Sequence, residues 1–251
     1  MGICIICGKT KRQMKIALIG YGKMGKAIEE IALQKGHQIV LKIDLSNINE
    51  FTKENLSKAD VAIEFTSPNT AYENVSKCLE YGVPVICGST GWLDKWNEIE
   101  ALCKQENGAL LYASNYSIGV NLFFELNTYL AKLMSKYNEY NVSLIETHHT
   151  EKKDAPSGTA ITLAEQVINN TTNKKKWVNH PTNNVAELEI LSERINPAPG
   201  THTIKYTSLV DNIEITHTAH SRVGFASGAV LAAEFIVEKR GIFTMKDVLG
   251  L

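Results

Sequence analysis

From Met14 onward the chain alternates short apolar runs with longer stretches in which apolar residues return every three or four positions. MKIALIG is a brief β-prone run that predicts a buried strand. Ala27, Ile28, Ile31 and Ala32 then fall at helical spacing, Gly36 stands at the stop, and QIVLKI predicts a second strand leading to Asp44. VAIEF (61–65), VPVIC (83–87) and ALLYA (109–113) predict three more strands. Between them, Ala71, Val75 and Leu79 mark a helix that stops at Gly82, and a second helix runs from about Trp92 to Gln105. Strands separated by helices of this length predict a parallel, doubly wound sheet, whose ligands bind beyond the carboxyl ends of the strands.

The pattern changes after Asn115. A long helix is predicted from about Ser117 to Lys136, with Ile118, Leu122, Leu126, Leu130 and Leu133 on one face. NVSLIE (141–146) predicts a strand, and a helix follows from about Ser157 to Asn169 with Ser157 as its cap. Residues 170–184 are polar and rich in breakers, as in a surface loop. AELEILSER, THTIKY and NIEITHTA alternate apolar and polar positions, as in a sheet with one face on a core or partner. The last helix, about Phe225 to Glu238, is almost entirely apolar and is expected to pack back against the first unit. Two domains follow: residues 1–116 with 223–251, and residues 117–222 between them.

Composition narrows the functional classes. The chain has 251 residues, 44% hydrophobic and 21% charged, with a net charge of -1. Nothing in that balance calls for a nucleic-acid or membrane partner, and no apolar run approaches the roughly 20 residues of a membrane span. MGICIICGKTKRQ makes a poor signal peptide, so a cytoplasmic location is expected. Five cysteines argue against a disulfide framework. Cys4 and Cys7 form a CxxC with no second pair at zinc-ligand spacing, and residues 1–13 read as an extension before the first strand.

Two motifs carry chemistry. The first is Gly20-Tyr21-Gly22-Lys23-Met24-Gly25, set between a strand and a helix, with Asp44 at the end of the next strand. This is the order a dinucleotide-binding unit requires. Two glycines allow a tight turn and close approach to a pyrophosphate, the third allows close helix packing, and the helix N-terminus offers N–H groups to the phosphates. Asp44 would accept hydrogen bonds from ribose hydroxyls. Thr66-Ser67-Pro68, Gly88-Ser89-Thr90 and Ser114-Asn115-Tyr116 follow other strand ends and suit contacts to ribose and nicotinamide.

The second motif is ETHHTEKKDAPSGTA, residues 146–160, which places two of the chain's seven histidines beside Lys152, Lys153 and Asp154. A metal site, a proton-transfer site and a solvated loop all compete for it. Adjacent histidines on a strand end point in different directions, unlike those of HExxH, so no metal is expected. His202, His217 and His220 are taken as satisfied or surface histidines. Arg222 and Phe225 are weaker candidates for the site.

Together with VAIEFTSP, VICGSTGW, ASNYSIGVN and ITHTAHSRVGFASGA, these blocks resemble the 4-hydroxy-tetrahydrodipicolinate (dihydrodipicolinate) reductase family of lysine and diaminopimelate synthesis, from Met14 to the end. The resemblance implies a Rossmann-like α/β domain plus an α+β domain whose open mixed sheet builds a homotetramer. It also implies a small cyclic dicarboxylate substrate and NADH or NADPH as cofactor. On matching positions it implies His148 as proton donor/acceptor and Lys152 as second proton donor, with His149, Gly158 and Thr159 touching substrate. Gly20, Tyr21, Gly22, Lys23, Met24, Gly25, Asp44, Gly88, Ser89, Thr90, Ala113, Ser114, Asn115 and Tyr116 match the segments that hold the cofactor. INPAPGT, residues 195–201, departs from the glycine-richer turn of many relatives. Asp44 is followed by Leu45 and Ser46 rather than by an arginine for a 2′-phosphate, which leans the expectation toward NADH. Another two-domain dehydrogenase acting on an amino or hydroxy acid, or a nucleotide sensor without turnover, are the alternatives.

Overall fold

The structure is a computed structural model that describes residues 12–251; the Cys4–Cys7 pair lies outside them. Two sheets organise the chain. The first has six parallel strands in the order β11-β5-β4-β3-β1-β2, formed by β1 (Lys15–Ile19), β2 (Gln38–Ile43), β3 (Val61–Glu64), β4 (Val85–Cys87), β5 (Ala109–Tyr112) and β11 (Gly241–Phe243). Helices α1 (Lys23–Gln34) and α7 (Val223–Ile236) cover one face, packing Ile28, Ala229 and Ala233 on Ile16, Leu18 and Ile63. On the other face α3 (Pro68–Glu80) and α4 (Trp96–Gln105) set Val75, Leu79 and Ile99 against Ile19, Val85 and Leu110. Burial on both faces explains why these strands are continuous apolar runs rather than alternating ones. Between β2 and β3 lie a 3-10 turn (Leu45–Glu50) and the short α2 (Lys53–Leu56).

The second sheet has five strands in the order β10-β9-β6-β8-β7: β6 (Asn141–His148), β7 (Lys176–Val178), β8 (Glu187–Arg194), β9 (Gly200–Thr207) and β10 (Asn212–Ala219). It is mixed, since β6 runs parallel to β8 and antiparallel to β9. Helices α5 (Ile118–Met134) and α6 (Gly158–Asn170) cover one face. Along β6 the burial alternates strictly, so Val142, Leu144, Glu146 and His148 all point into the covered side. The period that buries two apolar side chains therefore carries a carboxylate and an imidazole inward at the end of the strand.

Three expectations are corrected. The α5 face holding Ile118, Leu122, Leu126 and Leu133 is not the packed one: these side chains are 39–50% exposed, whereas Val120, Phe123, Phe124, Asn127 and Ala131 are buried. The helix is apolar around much of its circumference, and the face closed by α6 and the sheet sets the burial. Residues 170–184 contain β7 as well as loop. After α7 the chain adds β11 and α8 (Met245–Leu249), so the first sheet is completed by residues that follow the second sheet.

Candidate functional site

The carboxyl ends of β1 to β5 open toward the second sheet. At the end of β1, Gly20 has φ +95, and a Cβ there would sit 2.0 Å from Phe65 O, so no side chain fits. A Cβ on Gly25 would meet Gly20 O at 2.3 Å, which lets α1 lie against the turn. Gly22 is different: nothing lies within 4 Å of its added Cβ, and no side chain caps α1 there. The first-turn N–H groups of α1 are thus bare over an open hollow, the geometry a pyrophosphate takes. That hollow is lined by Tyr21, Asp44, Leu45, Ile48, Thr66 and Asn74.

Asp44 reaches this hollow exposed, accepting from Leu45 N at 2.7 Å. Lys42 is turned away to Glu29 (2.7 Å) and lies over the Tyr21 ring, 4.8 Å from its centroid; Tyr21 OH also bonds to Glu29. The Lys42 partnership and the Tyr21 hydroxyl hold the Glu29 carboxyl below its usual range. Lys23 is exposed at the mouth, 3.9 Å from Glu151, and Met24 lines the central cleft.

Beneath these loops sits a carboxylate that sequence reading missed. Glu64 ends β3 fully buried and gathers the neighbouring turns. It accepts from Thr66 N (3.0 Å), Ser89 Oγ (3.1 Å) and Cys87 Sγ (3.0 Å), and also from Thr66 Oγ1. The Ser89 side chain therefore points inward, and Gly88 is pressed on the Phe65 ring, 2.2 Å from its added Cβ. Thr90 is the exposed member of that triplet, and all three line a shallow hollow with Gly22, Lys23 and Met24. Tyr116 likewise faces inward, donating to Cys87 O at 2.8 Å, and burial pushes its hydroxyl pKa up. Ala113 packs on the core, while Ser114 and Asn115 line the cleft.

Across that cleft, a cavity of about 330 Å³, stand His148, His149, Lys152, Gly158 and Thr159. Asn115 Nδ2 donates to Thr159 Oγ1 at 3.2 Å and ties the two sides together. Ser157 caps α6, accepting from Ala160 N at 3.2 Å, and this leaves Gly158 exposed with open space around it. Lys152 Nζ donates to both oxygens of Asp154 (2.8 and 2.7 Å). Burial raises the Asp154 carboxyl pKa, but the lysine outweighs it and the net direction is down. Arg222 and Phe225 also line the cleft.

Behind the cleft His148 is joined by Glu146 and His202. Glu146 is fully buried, accepts from Ser157 N (3.1 Å to each oxygen), from Ser192 Oγ (2.7 Å) and from Arg194 Nη2 (3.3 Å). Its Oε2 lies 3.5 Å from His148 Nε2 and 3.7 Å from His202 Nε2. Burial opposes its ionisation, but the imidazoles and hydroxyls around it prevail and hold the carboxyl far below its usual range. His202 bonds Ser157 Oγ at 3.1 Å, and burial lowers its pKa. The expectation that His202 is merely satisfied is corrected in part: it is satisfied, but inside the site. His217 lines the same cleft, with its pKa lowered by burial, whereas His220 is exposed. Glu146, His148 and His202 place ligand-type atoms within 4.8 Å of one another. The carboxylate is already engaged by three donors, one of them a guanidinium, which suits proton handling better than a dication.

Comparison with known proteins agrees with this geometry. The dihydrodipicolinate reductase N-terminus profile matches residues 14–116, and the C-terminus profile matches residues 119–249. A 4-hydroxy-tetrahydrodipicolinate reductase of Christiangramia forsetii is 48% identical over 94% of this chain and 98% of its own length. The chain belongs to the dihydrodipicolinate reductase family. Another reductase of that name, from Methanocaldococcus jannaschii, is 35% identical over 93% of this chain and 81% of its own. Among solved structures, a dipicolinate-bound dihydrodipicolinate reductase from Paenisporosarcina superposes with a TM-score of 0.73 at 22% identity, covering 93% of this chain and 98% of that one. Dehydrogenases with TM-scores near the lower end, such as a probable dehydrogenase from Thermotoga maritima (0.53, 10% identity, 94% and 89% covered), share the fold of the family alone.

The glycine-rich segments at the strand ends of the first sheet and the HHxxKxDAPSGT segment are thus brought to opposite walls of one cleft in this chain. Glu64, Glu146, Ser192, Arg194 and His202 were missed as site residues. The only sequence signal for the second group was the two-residue period of β6, β8 and β9, which places each of them near Glu146 on paired strands.

Proposed function

We propose that the cleft between the two sheets is where this chain reduces its substrate, with the first sheet holding the cofactor and the loop after β6 holding the substrate. The activity is NAD(P)H-dependent reduction of 4-hydroxy-tetrahydrodipicolinate to tetrahydrodipicolinate, with loss of water. The bound nicotinamide supplies the hydride. His148 delivers the proton that balances it, and Lys152 offers a second proton or a positive charge once substrate competes with Asp154. Gly158 and Thr159, the first two residues after the Ser157 cap of α6, receive one carboxylate through their N–H groups, and His149 contacts the same molecule. A dipicolinate-bound relative supports a small dicarboxylate as the ligand class. The single observation that carries this reading is the juxtaposition of His148 and Gly158 with Ser114, Asn115 and Thr90 around one cavity.

Two finer points belong to the same reading. NADH is preferred, because Lys42 is engaged with Glu29 and no arginine follows Asp44. The molecule works as a homotetramer built on the second sheet, whose outer strand leaves Ile213 exposed and whose β9–β10 turn leaves Leu209 and Val210 fully exposed. The domain division at 117 and 222 follows, with α7, β11 and α8 belonging to the first unit. The test is oxidation of NADH and NADPH at 340 nm with freshly generated hydroxy-tetrahydrodipicolinate. Oxidation that requires this substrate is expected. A folded, cofactor-binding protein that oxidises neither cofactor would assign the pocket to another substrate.

A further inference from the structure

Glu146 does nothing in the reading above, yet it is among the most heavily bonded side chains of the site. It occupies the position two residues before His148 on β6, so both project to the same side of the sheet. Its carboxylate joins four separate segments: β6 itself, the start of α6 through Ser157 N, β8 through Ser192 and Arg194, and β9 through the nearby His202. Such a group is fixed in place as well as in charge.

The His148 ring shows what that fixed charge faces. Nε2 is buried and has no hydrogen-bond partner, and the nearest carboxylate oxygen is Glu146 Oε2 at 3.5 Å. The opposite edge of the ring packs on Gly200: a Cβ there would lie 2.9 Å from Cε1 and 3.2 Å from Nδ1. His148 lines the cleft, and of its two ring nitrogens only Nε2 is both buried and unpartnered, which leaves the Nδ1 edge to face the cleft. Glycine at 200, in a positive-φ conformation (+158), is what lets the ring lie so close to the β9 backbone.

We propose that Glu146 is a positioning residue for the reaction: it holds the His148 ring with Nε2–H directed at its carboxylate, so that Nδ1 is the nitrogen that exchanges a proton with substrate. The logic is that of a carboxylate orienting a catalytic imidazole, in which the buried anion fixes the tautomer and stabilises the imidazolium without taking the proton. Arg194, Ser192 and Ser157 N keep the carboxylate in register. His202 approaches the same oxygen from β9 but already has Ser157 Oγ, and its pKa, lowered by burial, leaves the carboxylate to His148. The only transfer in the step moves one proton from Nδ1 to the substrate. Nε2–H remains in place, and solvent reprotonates Nδ1 for the next turnover.

This rests on His148 being the proton donor, and the two readings fail separately. Long-range proton–nitrogen NMR on histidine-labelled protein, with His148→Asn and His202→Asn used for assignment, reads the tautomer directly. The expected spectrum shows neutral His148 protonated at Nε2. A ring protonated at Nδ1 overturns the proposal. Glu146→Gln keeps the shape and an acceptor for Ser157 N but removes the charge. It is expected to lower kcat by at least about tenfold, to leave KM for NADH within about twofold, and to abolish the Nε2–H preference. A kcat close to that of the parent protein overturns the proposal, and if this variant does not fold the parent spectrum decides alone. Normal turnover by His148→Gln would sink the proton-donor reading instead, whatever the tautomer.

Discussion

The side chains proposed to move protons in this site have surroundings that differ sharply. His148→Gln and Lys152→Ala are each expected to reduce turnover by ~100-fold or more, the scale of a lost acid–base group; steady-state rates at saturating NADH check this. The same cluster ties stability to pH. The His202 pKa is lowered, so the unfolded chain takes up a proton first and stability begins to fall as pH drops below the ordinary histidine range near 6.5. The Glu146 pKa is lowered too, so its contribution is full above the ordinary carboxylate value of 4.5 and is lost as pH falls toward its depressed folded value. Urea midpoints measured from pH 8 to pH 3 are therefore expected to drop in two stages, and Glu146→Gln is expected to shrink the second, leaving the share of the other depressed carboxylates, Glu29 and Asp154. At this scale the sequence was informative where a motif was contiguous, as with residues 146–160. It was silent about Arg194 and His202, because strand pairing brings them to Glu146 from positions far along the chain.

The helix caps and strand ends convert those side chains into binding surfaces. Ser157 both caps α6 and bonds His202, so Ser157→Ala is expected to cost about 1 kcal/mol and to lower Tm by about 2–4 °C in a thermal melt. It is also expected to raise KM for the substrate, because the first turn of α6 loses its register with the cleft. At the other wall, Leu45 is 89% exposed beside Asp44. Leu45→Arg is expected to improve kcat/KM with NADPH by roughly tenfold over the parent protein, since a guanidinium there would meet a 2′-phosphate. Paired rates with the two cofactors settle it. Element types were readable from periodicity, most clearly in β1, α1 and β2, where pattern and glycine placement agree. The packed face of α5 was not, because a helix apolar on several sides gives no preference from its own sequence. The inward turn of Ser89 and Tyr116 was equally hidden, since hydroxyl and aromatic residues after a strand suit a ligand or a buried carboxylate alike.

At the level of the whole molecule, the two sheets are set so that each supplies one wall of the cleft, with Asn115–Thr159 and Lys23–Glu151 reaching across it. Light scattering on the eluting peak is expected to give the mass of four chains, and a single-chain mass at micromolar concentration would remove the tetramer from the reading. No helix among the described residues is long and apolar enough to cross a membrane. Layer architecture was legible from the alternation of strands and helices, and the return of the last helix to the first unit was expected from its apolar character, but the strand after it was not read, because β11 is only three residues long and its partner is β5. That return has a bearing on how the protein is made. While it is being synthesised, the first sheet has β1 to β5 in hand early, yet the edge of β5 stays unpaired until residues 241–243 emerge, after the whole second sheet. For most of that time the ribosome carries a nucleotide-binding half with an open edge and without α7 over one of its faces, the state most prone to pairing with a neighbour. A stop codon anywhere between β10 and β11 would thus damage the half of the molecule that had been translated first.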